Sequence, residues 1–284
     1  MSTRESMVDA YIVVLDVAAD AVRALLFDSG ARRVEGFAAQ LPKRADAAAD
    51  CLDEMHRLVE AAGFRIAAVV GRAESEVTAE DRKFWPSFEG AVWFPALPEG
   101  AGLLLGSGCV NAERLGLAIG ESSMLGTVVD RPLTGEGLTC VPIDEKRWLL
   151  SGAVQEAGVA FAQFKHAIKG SVERYLDNAA ADDPHLAALD AAARHFREIY
   201  ERLAGHGAAP QVIACGAVLL KSPTLSQRIA NAVGVPLTLS TEPEPAGRGA
   251  ALWALERIGA IEHLGALEAS LGAEFAPVFL ETTT

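Results

Sequence analysis

The feature that most constrains this chain is a strand–turn–strand unit that occurs twice. Tyr11–Val17 (YIVVLDV) and Ala21–Asp28 (AVRALLFD) are apolar runs separated by Ala18-Ala19-Asp20. Leu115–Ile119 and Met124–Val129 repeat the arrangement around Gly120-Glu121-Ser122-Ser123. Short apolar runs bounded by turns predict buried, paired strands. After the first pair, Arg33–Gln40 reads as a third strand. Asp46–Ala62 then carries Cys51, Met55, Leu58, Val59 and Ala62 at helical spacing. Gly63 closes that helix where a left-handed cap is easiest, and Phe64–Val70 is a buried strand. Gly71 to Glu89 is charged and patternless, a loop or short helix. After the second pair come strands Thr139–Ile143 and Arg147–Ala153, joined by a polar turn at Asp144-Glu145-Lys146. Gln155–Ile168 is an amphipathic helix, and 170–207 is helix-rich with a restart at Asp182-Asp183-Pro184. Gln211–Cys215 is a strand, Ser222-Pro223 caps a helix, Pro236–Ser240 is a strand and Ala246–Ile258 a helix. A duplicated α/β plan of this kind predicts two lobes with a cleft between them.

Composition narrows the function classes. The chain has 284 residues, enough for a sizeable core. Its formal charge of −13 argues against nucleic-acid and anionic-membrane partners, which need clustered Lys and Arg. No apolar run is long enough to span a bilayer, and the residues before Tyr11 are polar, so neither a membrane protein nor a signal peptide is expected. Cys51, Cys109, Cys140 and Cys215 are far apart, without a CxxC pair, which predicts free thiols in a reducing, cytoplasmic setting. The histidines have no mutual metal-ligand spacing. A P-loop, a nucleophile elbow and a G-x-G-x-x-G fingerprint are all absent. The places left for chemistry are turns at strand ends, where open α/β architectures bind ligands. They are Ala18–Asp20, Gly106-Ser107-Gly108, Gly120–Ser123 and Gly216-Ala217.

These turns also carry a family resemblance. Leu105-Gly106-Ser107-Gly108-Cys109-Val110-Asn111, with Arg114 and Ile119-Gly120-Glu121-Ser122-Ser123, resembles the second phosphate motif of FGGY-family carbohydrate kinases. The likeness is greatest to the gluconokinase and xylulokinase types. Lys146–Ala153 resembles the strand that follows. Val212–Ala217, with Ser222-Pro223 and Gln227, resembles the adenosine motif, and Glu244 through Arg248–Leu252 the helix behind it. Asp16–Ala24 with Leu26, Phe27 and Asp28 resembles the first phosphate motif. The resemblance implies an α/β fold of two RNase-H-like lobes, that of actin, hsp70 and sugar kinases, with a minimal N-terminal lobe. The expected division is 10–96 for the N-terminal lobe, 97–262 for the nucleotide-binding lobe and 263–284 for a tail. It also implies MgATP as phosphoryl donor and a sugar hydroxyl as acceptor, with Glu99 as catalytic base and Asp16 on Mg²⁺. Gly120, Glu121, Ser122, Gly216 and Ala217 would lie around the nucleotide.

The same loops depart from the family pattern. Where the family has Gly and hydroxyl residues in its first phosphate loop, this chain has Ala18, Ala19, Asp20 and Ala21. An alanine is costly wherever that turn needs positive φ, donors are lost, and Asp20 adds negative charge. Glu121 stands where the second loop has Thr. A carboxylate about 4 Å from a phosphate is repulsive by roughly 4 kcal/mol per charge pair at an effective dielectric of 20, which weakens binding by about three orders of magnitude. Alternatively Asp16, Asp20 and Glu121 converge on Mg²⁺ and bridge it to an anion. Glu99 keeps a carboxylate on a longer arm than the family's Asp. Lys83-Phe84-Trp85 and Trp93-Phe94 offer an aromatic platform but are expected in the core, and Arg194, Arg197 and Arg202 form a solvated face with Glu198 and Glu201.

Three readings follow. The first is a kinase homologue with lost or weak phosphotransfer, acting as a ligand-binding or regulatory module and requiring no cofactor. The second is an active ATP-dependent sugar kinase using Mg and ATP. The third is a dimerisation scaffold, for which a homodimer is the partner; a sugar or nucleotide is the small-molecule partner of the first two.

Overall fold

The computed structural model describes residues 10–18, 20–72, 74–98, 100–119, 123–154, 175, 183–206 and 211–278. The strands are β1 (Tyr11–Val17), β2 (Ala21–Phe27), β3 (Arg33–Pro42), β4 (Ile66–Val70), β5 (Val92–Phe94), β6 (Arg114–Ala118), β7 (Met124–Val129), β8 (Thr139–Pro142), β9 (Trp148–Ala153), β10 (Gln211–Cys215), β11 (Leu237–Ser240) and β12 (Leu271–Phe275). The helices are α1 (Ala47–Ala62), α2 (Ala79–Phe84), α3 (Ala101–Gly106), α4 (Pro184–Ala204), α5 (Ala217–Leu220), α6 (Pro223–Val233) and α7 (Pro245–Arg257). The helix expected over Gln155–Ile168 lies outside the described residues. No helix among the described residues is long and apolar enough to cross a membrane.

The chain forms two compact units. Unit 1 comprises Met1–Gly106 with Ala246–Glu268, and unit 2 comprises Ser107–Pro245 with Ala269–Thr284. This division differs from the boundaries at 96 and 262, and the reason is helix packing. Most of α7 belongs to unit 1 because Gly249 lets it meet α3 backbone to backbone: a Cβ there would lie 1.9 Å from the Gly102 carbonyl oxygen. Arg248, buried beside it, donates to the carbonyls of Gly106 (2.8 Å), Leu267 (3.0 Å) and Glu268 (2.8 Å). Strand β12 closes the sheet of unit 2 instead.

In unit 1 the sheet order is β3-β2-β1-β4-β5. β1, β2 and β3 are antiparallel neighbours, and β4 and β5 continue in parallel. Helix α1 buries Ala47, Cys51, Leu52, Met55 and Val59 in one cluster with Val13, Leu15, Val22 and Leu26. Gly63 ends the helix at φ 68°, its N–H bonded back to the Glu60 and Val59 carbonyls. Trp85, Phe88 and Trp93 are buried against one another, so these aromatics are core as expected. Phe84 is the exception at 67% exposed.

Unit 2 repeats the plan. Its sheet runs β12-β11-β10-β6-β7-β9-β8, and the central five strands, β9-β7-β6-β10-β11, have the order and directions of unit 1. Three antiparallel strands continued by two parallel ones, twice, are the RNase-H-like lobes the resemblance implies. Asp183 starts α4 by accepting from the His185 and Leu186 N–H groups. That helix brings Leu189, Phe196 and Ile199 onto Leu115, Leu125 and Val212. On its outer side Arg197 pairs with Glu201 at 3.0 Å and Arg202 with Glu198 at 3.9 Å, the solvated face the sequence predicts.

Candidate functional site

In unit 1 the site residues sit at the β1–β2 turn. Asp16 and Arg23 face each other across the ladder in register, and residues directly opposite in an antiparallel pair point to the same side of the sheet. Arg23 donates twice to Asp16 Oδ2, from Nη2 at 2.5 Å and Nε at 3.2 Å. Both side chains are about one-third exposed, 31% and 28%, so the pair is a solvent-accessible anchor of the turn and not a buried ion pair. Asp20 is exposed at the tip, and its carboxylate has no ion pair among the described residues. The turn closes by a hydrogen bond from the Ala18 N–H to the Ala21 carbonyl at 2.9 Å. That N–H is therefore not offered to a ligand.

Ala18 is not among the described residues with positive φ, which for non-glycines are limited to Ala31. The backbone strain expected from alanine in this loop is accordingly absent at Ala18, because an ordinary antiparallel turn accommodates it. No side chain from Ala18 to Ala21 carries a hydroxyl.

In unit 2, β10 lies between β6 and β11, parallel to both, and Gly216 follows it at φ 91°. Among the described residues, nothing lies within 4 Å of the position a Gly216 Cβ would take. Only glycine adopts such a conformation freely, and the ends of parallel strands are where α/β sheets take up ligands. Ala217 opens the short α5. Glu99, Gly120, Glu121 and Ser122 lie outside the described residues.

Three side chains from the Leu105–Asn111 and Val212–Ala217 motifs gather just before Gly216. Ser107, Cys109 and Cys215 are all fully buried. The Cys109 thiol beside it holds Cys215 below its ordinary range, and Cys109 is pushed well above it by Cys215 and by burial. Cys215 Sγ donates to the Ile213 carbonyl oxygen at 3.4 Å. Each thiol adjoins a turn that the sequence does mark, and parallel pairing of β6 with β10 is what joins them.

The described residues do not build a metal cage: no group of three His, Cys, Asp or Glu side chains converges among them. Glu121, the third carboxylate of the Asp16, Asp20 and Glu121 set, lies outside the described residues. Asp16 keeps Oδ1 out of its pair with Arg23, which fits a Mg²⁺ ion held mainly by phosphates and water.

No family model matches the chain, and no curated protein matches it. Solved structures do. Gluconate kinase from Lactobacillus acidophilus aligns over 95% of this chain and 94% of its own, with a TM-score of 0.77 at 13% identity. Xylulose kinase from Rhodospirillum rubrum aligns over 94% of each chain, with a TM-score of 0.74 at 13% identity. The chain has the carbohydrate-kinase fold. Glycerol kinase from Plasmodium falciparum, solved with ADP, extends the likeness at a TM-score of 0.65 and 8% identity over 94% of each chain. Identities this low carry the architecture, and the chemistry has to be argued from this chain's own residues.

Proposed function

We propose that this protein is a carbohydrate-kinase homologue that binds a ligand of the sugar or nucleotide class with phosphotransfer lost or weak, and so serves as a ligand-binding or regulatory module. The observation that carries the reading is the β1–β2 turn. Its sequence supplies alanines and, at Asp20, a carboxylate without an ion pair among the described residues where phosphoryl transfer needs donors and positive charge, and its Ala18 N–H is already bonded. The open turn at Gly216 supports retained room for the nucleoside part of a nucleotide. If Mg²⁺ binds, Asp16 Oδ1 is the group that would hold it or its waters, and the ion would neutralise phosphate charge there.

The test is a phosphotransfer assay with MgATP over a panel of sugars and sugar acids, run beside Asp20→Thr. The reading expects no turnover above background in the wild type, and tighter MgATP binding in the variant. Substrate-dependent ADP release by the wild type with ordinary kinase turnover of about 1–100 s⁻¹ would establish the second reading, an active sugar kinase. That reading draws its support from Asp16 and from the open Gly216 turn.

A further inference from the structure

We propose that Ser87 and His56 form a nucleophile–base pair, oriented by Glu60, that hydrolyses small carboxylic esters at a second site in unit 1. The inference does not depend on whether the protein transfers phosphate, and every residue it uses lies within that one unit. Helix α1 carries His56 and Glu60 one turn apart, so the carboxylate reaches the ring of the residue four before it. Ser87 stands on a single 3₁₀ turn, Pro86–Phe88. Two residues that bracket Ser87 hold this turn to the helix. The Trp85 indole N–H donates to the Asp53 carboxylate of α1, and the Phe88 and His56 rings meet edge to face with centroids 6.1 Å apart.

The result is a hydroxyl with a base in reach. His56 Nδ1 lies 2.6 Å from Ser87 Oγ. On the other side of the ring Glu60 Oε2 lies 3.7 Å from Nε2, beyond a hydrogen bond in this resting geometry but close enough to bias the imidazole. A carboxylate there favours the proton on Nε2, which leaves the Nδ1 lone pair to accept from the Ser87 hydroxyl. Nucleophile, base and orienting carboxylate are the parts that acyl transfer needs, and they are recognised by geometry and not by chain order. The base is sheltered, its side chain 12% exposed, whereas Ser87 is partly open to solvent. A Cβ on Gly90, at φ 79°, would meet nothing within 4 Å among the described residues. Phe84, 67% exposed three residues before Ser87, offers an apolar surface to an acyl group. In the first step the Ser87 oxygen attacks the ester carbonyl carbon, and its proton passes to His56 Nδ1. The bond from that carbon to the leaving oxygen breaks, and the departing alcohol takes the proton from His56. Water then attacks the acyl carbon as His56 takes its proton; the bond to Ser87 breaks and the serine recovers that proton. One ester and one water give one acid and one alcohol.

Labelling of the native, full-length protein with a fluorophosphonate tests this, because an activated serine displaces fluoride from phosphorus and an ordinary one does not. The expected result is a phosphonylated peptide containing Ser87, absent when the protein is denatured first, together with p-nitrophenyl acetate turnover that Ser87→Ala removes. His56→Gln can still hydrogen-bond Ser87 but cannot take its proton, so it should slow labelling at least about a hundredfold. Glu60→Gln should lower kcat for the ester at unchanged KM, as a positioning residue acting through His56 does. No label at Ser87 in the folded wild type overturns the proposal, as does a labelling rate that His56→Gln leaves unchanged. The wild-type map decides even if a variant fails to fold.

Discussion

The two units place a glycine at the same point of the same topology and use it differently. Gly71 follows β4 and Gly216 follows β10, each the parallel neighbour of the first strand of its sheet. Both have positive φ, 114° and 91°. At Gly71 a Cβ would lie 2.3 Å from the Leu15 carbonyl oxygen, whereas at Gly216 it would meet nothing within 4 Å among the described residues. One turn is packed shut against its own sheet, and the other leaves its Cβ position unfilled by any described residue. Topology alone does not locate a ligand site; what matters is whether the backbone freedom of the turn has been used for packing.

The comparison is easiest to break at those glycines. Gly71→Ala should cost more than about 3 kcal/mol, because a fixed carbonyl and a positive φ both oppose the methyl. Gly216→Ala should cost only the conformational strain, about 1–2 kcal/mol. Denaturant melts of the two variants measure the gap, and equal losses would remove the distinction between a closed and an open turn. Next in size is Arg248→Met, which leaves the Gly106, Leu267 and Glu268 carbonyls without their donor. A loss of about 3 kcal/mol is expected from unsatisfied buried acceptors, with amide exchange rising first in the segments flanking Gly106 and Glu268.

The repeated core was legible because its strands are short apolar runs with turns between them, and Gly63 ends α1 as the periodicity requires. β12 was not. Its residues are nearly all exposed, so they show neither an apolar run nor alternation, and it exists because β11 offers an edge. The turn before it is held by Thr241 N–H on the Ser270 carbonyl and by Ser270 N–H on Glu242. The Ala18–Asp20 and Gly216 turns were legible as candidate site elements by position. The Ala18–Asp20 turn is closed locally, by the Ala18–Ala21 hydrogen bond, whereas the surroundings of the Gly216 turn come from neighbours distant in sequence. The thiol cluster was invisible for the same reason: Cys109 and Cys215 meet only once β6 and β10 pair.

A third, smaller effect concerns the loop charge. Asp20→Thr should tighten MgATP binding by about tenfold, less at high salt because the carboxylate is exposed and screened. An unchanged affinity would mean that Asp20 does not face phosphate. The smallest effect is on acid stability. Asp81 is held below the usual carboxylate range chiefly by the Thr78 N–H at the start of α2, in unit 1. Asp183 is held low chiefly by the Tyr175 hydroxyl at the start of α4, in unit 2. Carboxyls depressed in the folded state contribute stability above the unfolded value of about 4, lost as pH falls through the folded value. Asp81→Asn and Asp183→Asn should therefore each flatten the decline of stability below pH of about 4, read as thermal midpoint against pH.

Calorimetric titration of the wild type with adenosine and with MgATP tests the central claim most directly. The proposed reading, a nucleoside at the Gly216 turn and no hydroxyl side chain for phosphate at the β1–β2 turn, predicts that both ligands bind within about tenfold of each other, a difference of roughly 1.4 kcal/mol. MgATP binding more than about a hundredfold tighter than adenosine, or no adenosine binding at all, would contradict it.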